Sequence, residues 1–135
     1  MDFVSVVIPC YNSGIFIEKA IHSVKNQTYN NIEIVVVNDG STDPYTLNYF
    51  KKIKNVTLIN QKNKGLSHAR NVGIKKAKGK YILPLDADDW IRKDAIKLMV
   101  KAIQEFNCEF VYSDIVLEGE KKGIHKKKYN FFEQL

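Results

Sequence analysis

The chain has 135 residues, 44% of them hydrophobic and 27% charged, with a formal net charge of +6. That composition is of an ordinary globular protein and excludes a disordered or fibrous one, and no apolar run approaches the roughly 20 residues needed to cross a bilayer. Residues 1–9 lack the basic start and long apolar centre of a secretion signal, so the cytoplasm is the expected compartment.

VSVVIP, residues 4–9, is a β-branched run of the kind buried in a parallel sheet. After a loop at 10–14, Ile17, Ala20, Ile21 and Val24 recur at helical spacing and predict a helix over 15–27 with one apolar face. IEIVVV predicts a second strand at 32–37. A short helix at 46–53, a strand at 56–60, a helix at 66–77 and a strand at 81–85 continue the pattern. A helix over 93–106 places Ala95, Leu98, Met99, Ala102, Ile103 and Phe106 mostly on one side, and EFVYSDIVL predicts a strand at 109–117. Strands alternating with helices imply βαβ units and hence an α/β fold with a mostly parallel sheet flanked by helices.

From residue 118 the chain turns polar and basic, with Lys121, Lys122, Lys126, Lys127 and Lys128 close together. The expected organisation is one domain over 1–117, with 118–135 a basic tail or the start of an element that Phe131 and Phe132 begin and the chain does not finish. The lysine run reads most simply as a solvated loop; it would also suit an anionic substrate or an acidic lipid surface. It lacks interleaved aromatics and any binding motif, so no nucleic-acid partner is expected. Cys10 and Cys108 have neither CxxC spacing nor paired histidines for zinc, and both read as buried free thiols.

In open parallel sheets ligands bind outside the carboxyl ends of the strands, which directs attention to the residues just after each predicted strand. These are Cys10-Tyr11-Asn12, then Asn38-Asp39-Gly40-Ser41-Thr42-Asp43, then Asp86-Ala87-Asp88-Asp89. Two unit charges ~4 Å apart repel by about 4 kcal/mol at an effective dielectric of ~20, so the last cluster needs compensation if all three carboxylates are ionised. A hard cation is one remedy: Mg²⁺ or Mn²⁺ takes oxygen ligands, and Mg²⁺ uses only one or two carboxylates beside water and substrate phosphates. The plainer reading has Asp88 or Asp89 cap the following helix, Asp39 serve as a turn residue before Gly40, and Asp43 with Pro44 open a helix. Between these clusters the segment 63–71 enters a helix whose free N–H groups, with the fork of donors on Arg70, suit phosphate; His68 reads as a surface or packing residue. GIKKAKGKY at 73–81 is not a P-loop, because the glycine spacing is too long, Tyr81 stands where Ser or Thr belongs, and a strand follows it. A dinucleotide fingerprint and a calcium loop are likewise absent.

SVVIPCYN, IEIVVVNDGSTD and NKGLSHARNVGIKKAKGKYILPLDADD, in this order over residues 4–90, resemble the amino-terminal half of a family 2 glycosyltransferase with a GT-A fold. The resemblance implies a nucleotide-diphosphate sugar, with a UDP-sugar the expected form, lying across the strand ends. Pro9, Tyr11 and Asn12 would border the nucleotide, Asp39 would accept a hydrogen bond from the base, and Arg70 would contact the nucleotide. Asp86 would lie near the ribose and the metal, and Asp88 would ligate Mg²⁺ or Mn²⁺. It further implies inverting transfer to a saccharide or lipid-linked acceptor, with peripheral attachment at the inner face of the membrane as a further possibility. The catalytic base is expected beyond Leu135. The alternative is a fragment that binds nucleotide sugar without catalysis.

Overall fold

A run of seven consecutive buried residues, VSVVIPC, forms β1 (Val4–Cys10). A strand can be apolar without alternation only where both faces are covered, and here both are. In this computed structural model, which describes residues 1–117 and 123–125, β1 is central in a sheet of order β3-β2-β1-β4. The partners are β2 (Ile32–Asp39), β3 (Thr57–Gln61) and β4 (Tyr81–Pro84), all parallel, with Val4 beside both Ile32 and Tyr81. The four strands therefore end at one edge, where Cys10 lies level with Asn38 and Asn60 with Asn38.

Helices cover the two faces. α1 (Gly14–Lys25) turns Ile17, Ala20, Ile21 and Val24 onto Val4, Val6, Ile8, Ile34 and Val36. Phe50 of α2 (Pro44–Lys52) and Ile96 and Val100 of α4 (Ala95–Phe106) complete that core. On the opposite face α3 (Leu66–Lys76) lies against β1 and β2, so close that a Cβ at Gly73 would run into the Val7 side chain. Asp43 caps α2, its carboxylate accepting from Thr46 N at 2.8 Å with Pro44 at the first helical position, as the sequence leads one to expect.

The chain divides into two compact units, Met1–Val100 and Lys101–Leu135. In the second, β5 (Ile115–Leu117) pairs antiparallel with β6 (Gly123–His125), and the Phe110 and Tyr112 rings lie 6.2 Å apart. The strand expected over 109–117 is thus reduced to its last three residues. Phe110, Tyr112 and Ile115 are exposed, so the apolar pattern there finds no covered face to fill. Cys10 is buried as expected, whereas Cys108 is only partly so; both thiols are free. The lysine run at 121–128, Phe131 and Phe132 lie outside the described residues.

Candidate functional site

Four loops leave the carboxyl edge of the sheet, and the first two are tied together by one side chain. Asn12 sits at φ 51°, a left-handed conformation that Asn tolerates. Its Oδ1 accepts from Thr42 N (2.7 Å) and Asp43 N (3.1 Å), and its own N–H donates to Ser41 Oγ (3.0 Å). The β1–α1 and β2–α2 loops are therefore bonded to one another.

Asp39, the last residue of β2, is 3% exposed. Gln61 Nε2 (2.6 Å) and Lys64 N (2.9 Å) donate to its Oδ1, and Gly65 N (2.8 Å) to its Oδ2. Burial pushes its pKa up, but these three donors more than offset it and hold the carboxyl below the usual value. A carboxylate offers about four acceptor positions, so roughly one remains for a ligand. Gly40 follows at φ 74°, where a Cβ would collide with Asn63 N.

After β4 the chain stays in register for one more bond, Leu85 N to Val7 O at 3.0 Å, and then turns through Asp86–Asp89, closed by Asp89 N donating to Asp86 O at 3.0 Å. Ala87 is buried and Asp88 exposed. Arg70 Nη2 meets Asp86 Oδ1 at 2.6 Å, while Arg70 Nε is buried with no partner among the described residues. Burial, and then the negative charge of Asp88 and Asp86, raise the Asp89 carboxyl. The helix that follows starts only at Ala95, so neither Asp88 nor Asp89 caps it, and that plainer reading of the cluster falls away.

Between these loops opens a cavity of about 440 Å³. Pro9, Cys10, Tyr11 and Ser13 line it from the first loop, Asp39 from the second, Asn63, Gly65, Leu66 and Ala69 from the third, and Asp86, Ala87 and Asp88 from the fourth. Asp86 and Asp88 offer the oxygen donors that a hard divalent cation prefers. Among the described residues no group of three or more His, Cys, Asp or Glu that could hold a metal is drawn together, so Asp86 and Asp88 could supply at most the one or two carboxylates that Mg²⁺ typically takes.

The glycosyl transferase family 2 model matches residues 5–135. The chain belongs to this family. Glycosyltransferase GlyA of Streptococcus pneumoniae is 36% identical over 126 residues, covering 91% of this chain but 18% of GlyA. GlyG of the same organism is 34% identical, covering 90% of this chain and 42% of its own. Among solved structures, S. aureus TarS in complex with UDP superimposes with a TM-score of 0.71 at 34% identity over 78% of this chain and 33% of that one. The mannosyltransferase PcManGT of Pyrobaculum calidifontis, in complex with GDP-Man and Mn²⁺, gives 0.63 at 28% identity over 76% and 32%. The chain thus has the GT-A fold and corresponds to an amino-terminal part of the family, spanning well under half the length of these relatives.

Within this family 2 chain, the structure brings Pro9, Tyr11, Asp39, Asp86 and Asp88 to one cavity wall. Asn12 and Arg70 do not line it: the first bonds the β1–α1 loop to the β2–α2 loop and the second pairs with Asp86. Sequence reasoning missed Gln61 and the Lys64 and Gly65 amides that fix Asp39. The end of β3 carries Gln61, so the strand-end rule would have found it had it been applied to all four strands; backbone donors leave no mark in residue type. His68 is exposed, with Nδ1 3.2 Å from Gln61 Nε2.

Proposed function

We propose that this chain supplies the donor-binding part of an inverting glycosyltransferase, residues 1–117 binding a nucleotide-diphosphate sugar. The observation that carries the reading is one cavity lined at the same time by Asp39, with a free acceptor position, and by the Asp86 and Asp88 carboxylates. Asp39 accepts from an N–H of the base, Pro9 and Tyr11 flank the nucleoside, and the α3 start with Arg70 faces its anionic part. Asp86 and Asp88 hold Mg²⁺ or Mn²⁺, which supplies electrostatic stabilisation of a departing diphosphate. UDP, the nucleotide bound by TarS, is the favoured carrier; GDP, carried by the ligand of PcManGT, is the competitor. The acceptor, a saccharide or a lipid-linked one, and the carboxylate that takes its proton are assigned to the remainder of a longer protein, acting in the cytoplasm or at the inner membrane face. No helix among the described residues is long and apolar enough to cross a membrane.

Titration calorimetry with UDP, GDP and dTDP, with and without Mn²⁺, tests this reading. The expected result is Mn²⁺-dependent binding of one of them, with Asp88→Ala losing at least about tenfold in that metal-dependent affinity. Equal affinity with and without metal, or no binding of any of the three, overturns it. The binding-only alternative is separated by a second measurement: sugar transfer to an added saccharide by the 135-residue chain contradicts it.

A further inference from the structure

The acidic turn is a short bridge, and its two ends are held by different parts of the molecule. Its entry is fixed to β1 by Leu85 N donating to Val7 O at 3.0 Å. Its exit is fixed to α1 and the residues just after it. Lys19 places Nζ 2.9 Å from the centroid of the Trp90 ring. Ser23 Oγ accepts from Ile91 N at 3.2 Å while donating to Ala20 O at 2.7 Å. Gln27 Nε2 donates to Arg92 O (2.6 Å) and Ser23 O (3.1 Å), and its Oε1 accepts from Ile96 N (3.1 Å). Thr28 N donates to Lys93 O at 2.8 Å.

Lys19, Ser23 and Gln27 are spaced four residues apart, so they form one stripe along α1 and its first residue beyond the C-cap, and that stripe meets Trp90, Ile91 and Arg92 in order. Gln27 is the centre of it. It is 8% exposed, both atoms of its amide are bonded, and it reaches both the segment leaving the acidic turn and the first turn of α4. None of these groups lines the cavity.

We propose that Gln27, with Ser23 and Lys19, is a positioning residue for the metal-diphosphate end of the site: the α1 stripe fixes where the Asp86–Asp89 turn presents its carboxylates. The proposal rests on the functional reading above. Its physical basis is that residues supporting a metal ligand set its orientation, and that their loss lowers metal affinity by about 10- to 100-fold without touching the ion. Asp88 is exposed and, among the described residues, makes no bond that would orient it by itself, so its backbone position has to be imposed from outside the turn.

Trp90 is the single tryptophan of the chain and sits beside Asp89, so its emission reports on the exit of the turn. In the 135-residue chain, Gln27→Met keeps the volume and removes the bonds. The expected result is about tenfold weaker Mn²⁺ binding at saturating UDP, followed by paramagnetic quenching of Trp90. UDP affinity in EDTA stays unchanged, and Trp90 becomes more accessible to acrylamide. Ser23→Ala and Lys19→Met give smaller losses in the same two readouts and serve if Gln27→Met does not fold. Unchanged Mn²⁺ affinity in a folded variant overturns the proposal and leaves the functional reading standing. An equal loss of metal-free UDP affinity also overturns it, since that is general loosening rather than positioning. If the unsubstituted chain binds UDP no better with Mn²⁺, both fall together.

Discussion

Asp39 combines near-complete burial with a depressed pKa, a pairing made possible by the amide of Gln61 and two backbone N–H groups. Asp39→Asn puts an NH₂ where at least one donor already points, so we expect a loss of about 2 kcal/mol in urea unfolding, together with weaker nucleotide binding. The pH dependence has a definite sign. A carboxyl whose folded pKa lies below its unfolded value near 3.9 contributes its full stability above that value and loses it as pH falls through the folded pKa. Acid titration of unfolding should therefore show the native chain losing stability below about pH 4, with Asp39→Asn flatter through the same window; parallel curves would contradict the assignment. Asp39 was legible as a candidate because it follows an apolar strand in a parallel fold. The reason it can be buried was not, since two of its three partners are backbone amides of residues 64 and 65. Asn12 is similar: its place after β1 and the family resemblance marked it as a candidate, while the bonds it makes depend on a φ of 51° that sequence does not encode.

Elements were read more easily than contacts. Each strand and helix of the parallel sheet was anticipated within a few residues, because the buried β-branched runs of β1 and β2 and helices with one apolar stripe leave clear periods, and the shorter β3 and β4 fall between such helices. α4 starts at Ala95 rather than 93, where Arg92 and Asp94 pair and Ala95 N closes a turn on Arg92 O. The expected strand at 109–117 shows the limit of such patterns, since alternation predicts a strand only where another element covers it. α3 makes the closest approach to the sheet, through Ala69, 0% exposed, and Gly73 against Val7 and Val37. Gly73→Ala gains helix propensity, yet it should destabilise by about 2 kcal/mol through overpacking against β1. Chemical denaturation would measure it, and a stabilised variant would mean that α3 can slide on the sheet.

At the scale of the whole molecule the charges are sorted by topology. Parallel strands put the C-termini of α1, α2 and α3 at the end opposite the cavity, and there stand the exposed Lys25, Lys51, Lys52, Lys75 and Lys76, with Lys54, Lys78 and Lys80 in the loops that lead back to the strands. Lysines in last turns complement the helix dipoles, so part of this face needs no partner to explain it. Asp39, Asp86, Asp88 and Asp89 gather at the other end, where Lys62, Lys64 and Arg70 also stand. A diphosphate bound there without a cation lies beside the Asp86 and Asp88 carboxylates, and a cation alone has few protein ligands. We therefore expect UDP and Mn²⁺ together to raise the melting temperature by more than the sum of their separate effects, about 2.7 kcal/mol of stabilisation at a hundredfold excess over Kd. Thermal scans with each and with both would show it, and simple additivity would argue against a shared site.

The sheet is closed above and below by helices but not at its sides. β4 is only four residues long and pairs through one flank, with β1; among the described residues no strand occupies its other flank. Such a margin is a template, because its unpaired backbone groups accept any extended segment whose side chains match the pleat. A strand added at the β4 margin, whether from the same chain or from a second copy, would lie immediately beside the turn that carries the carboxylates.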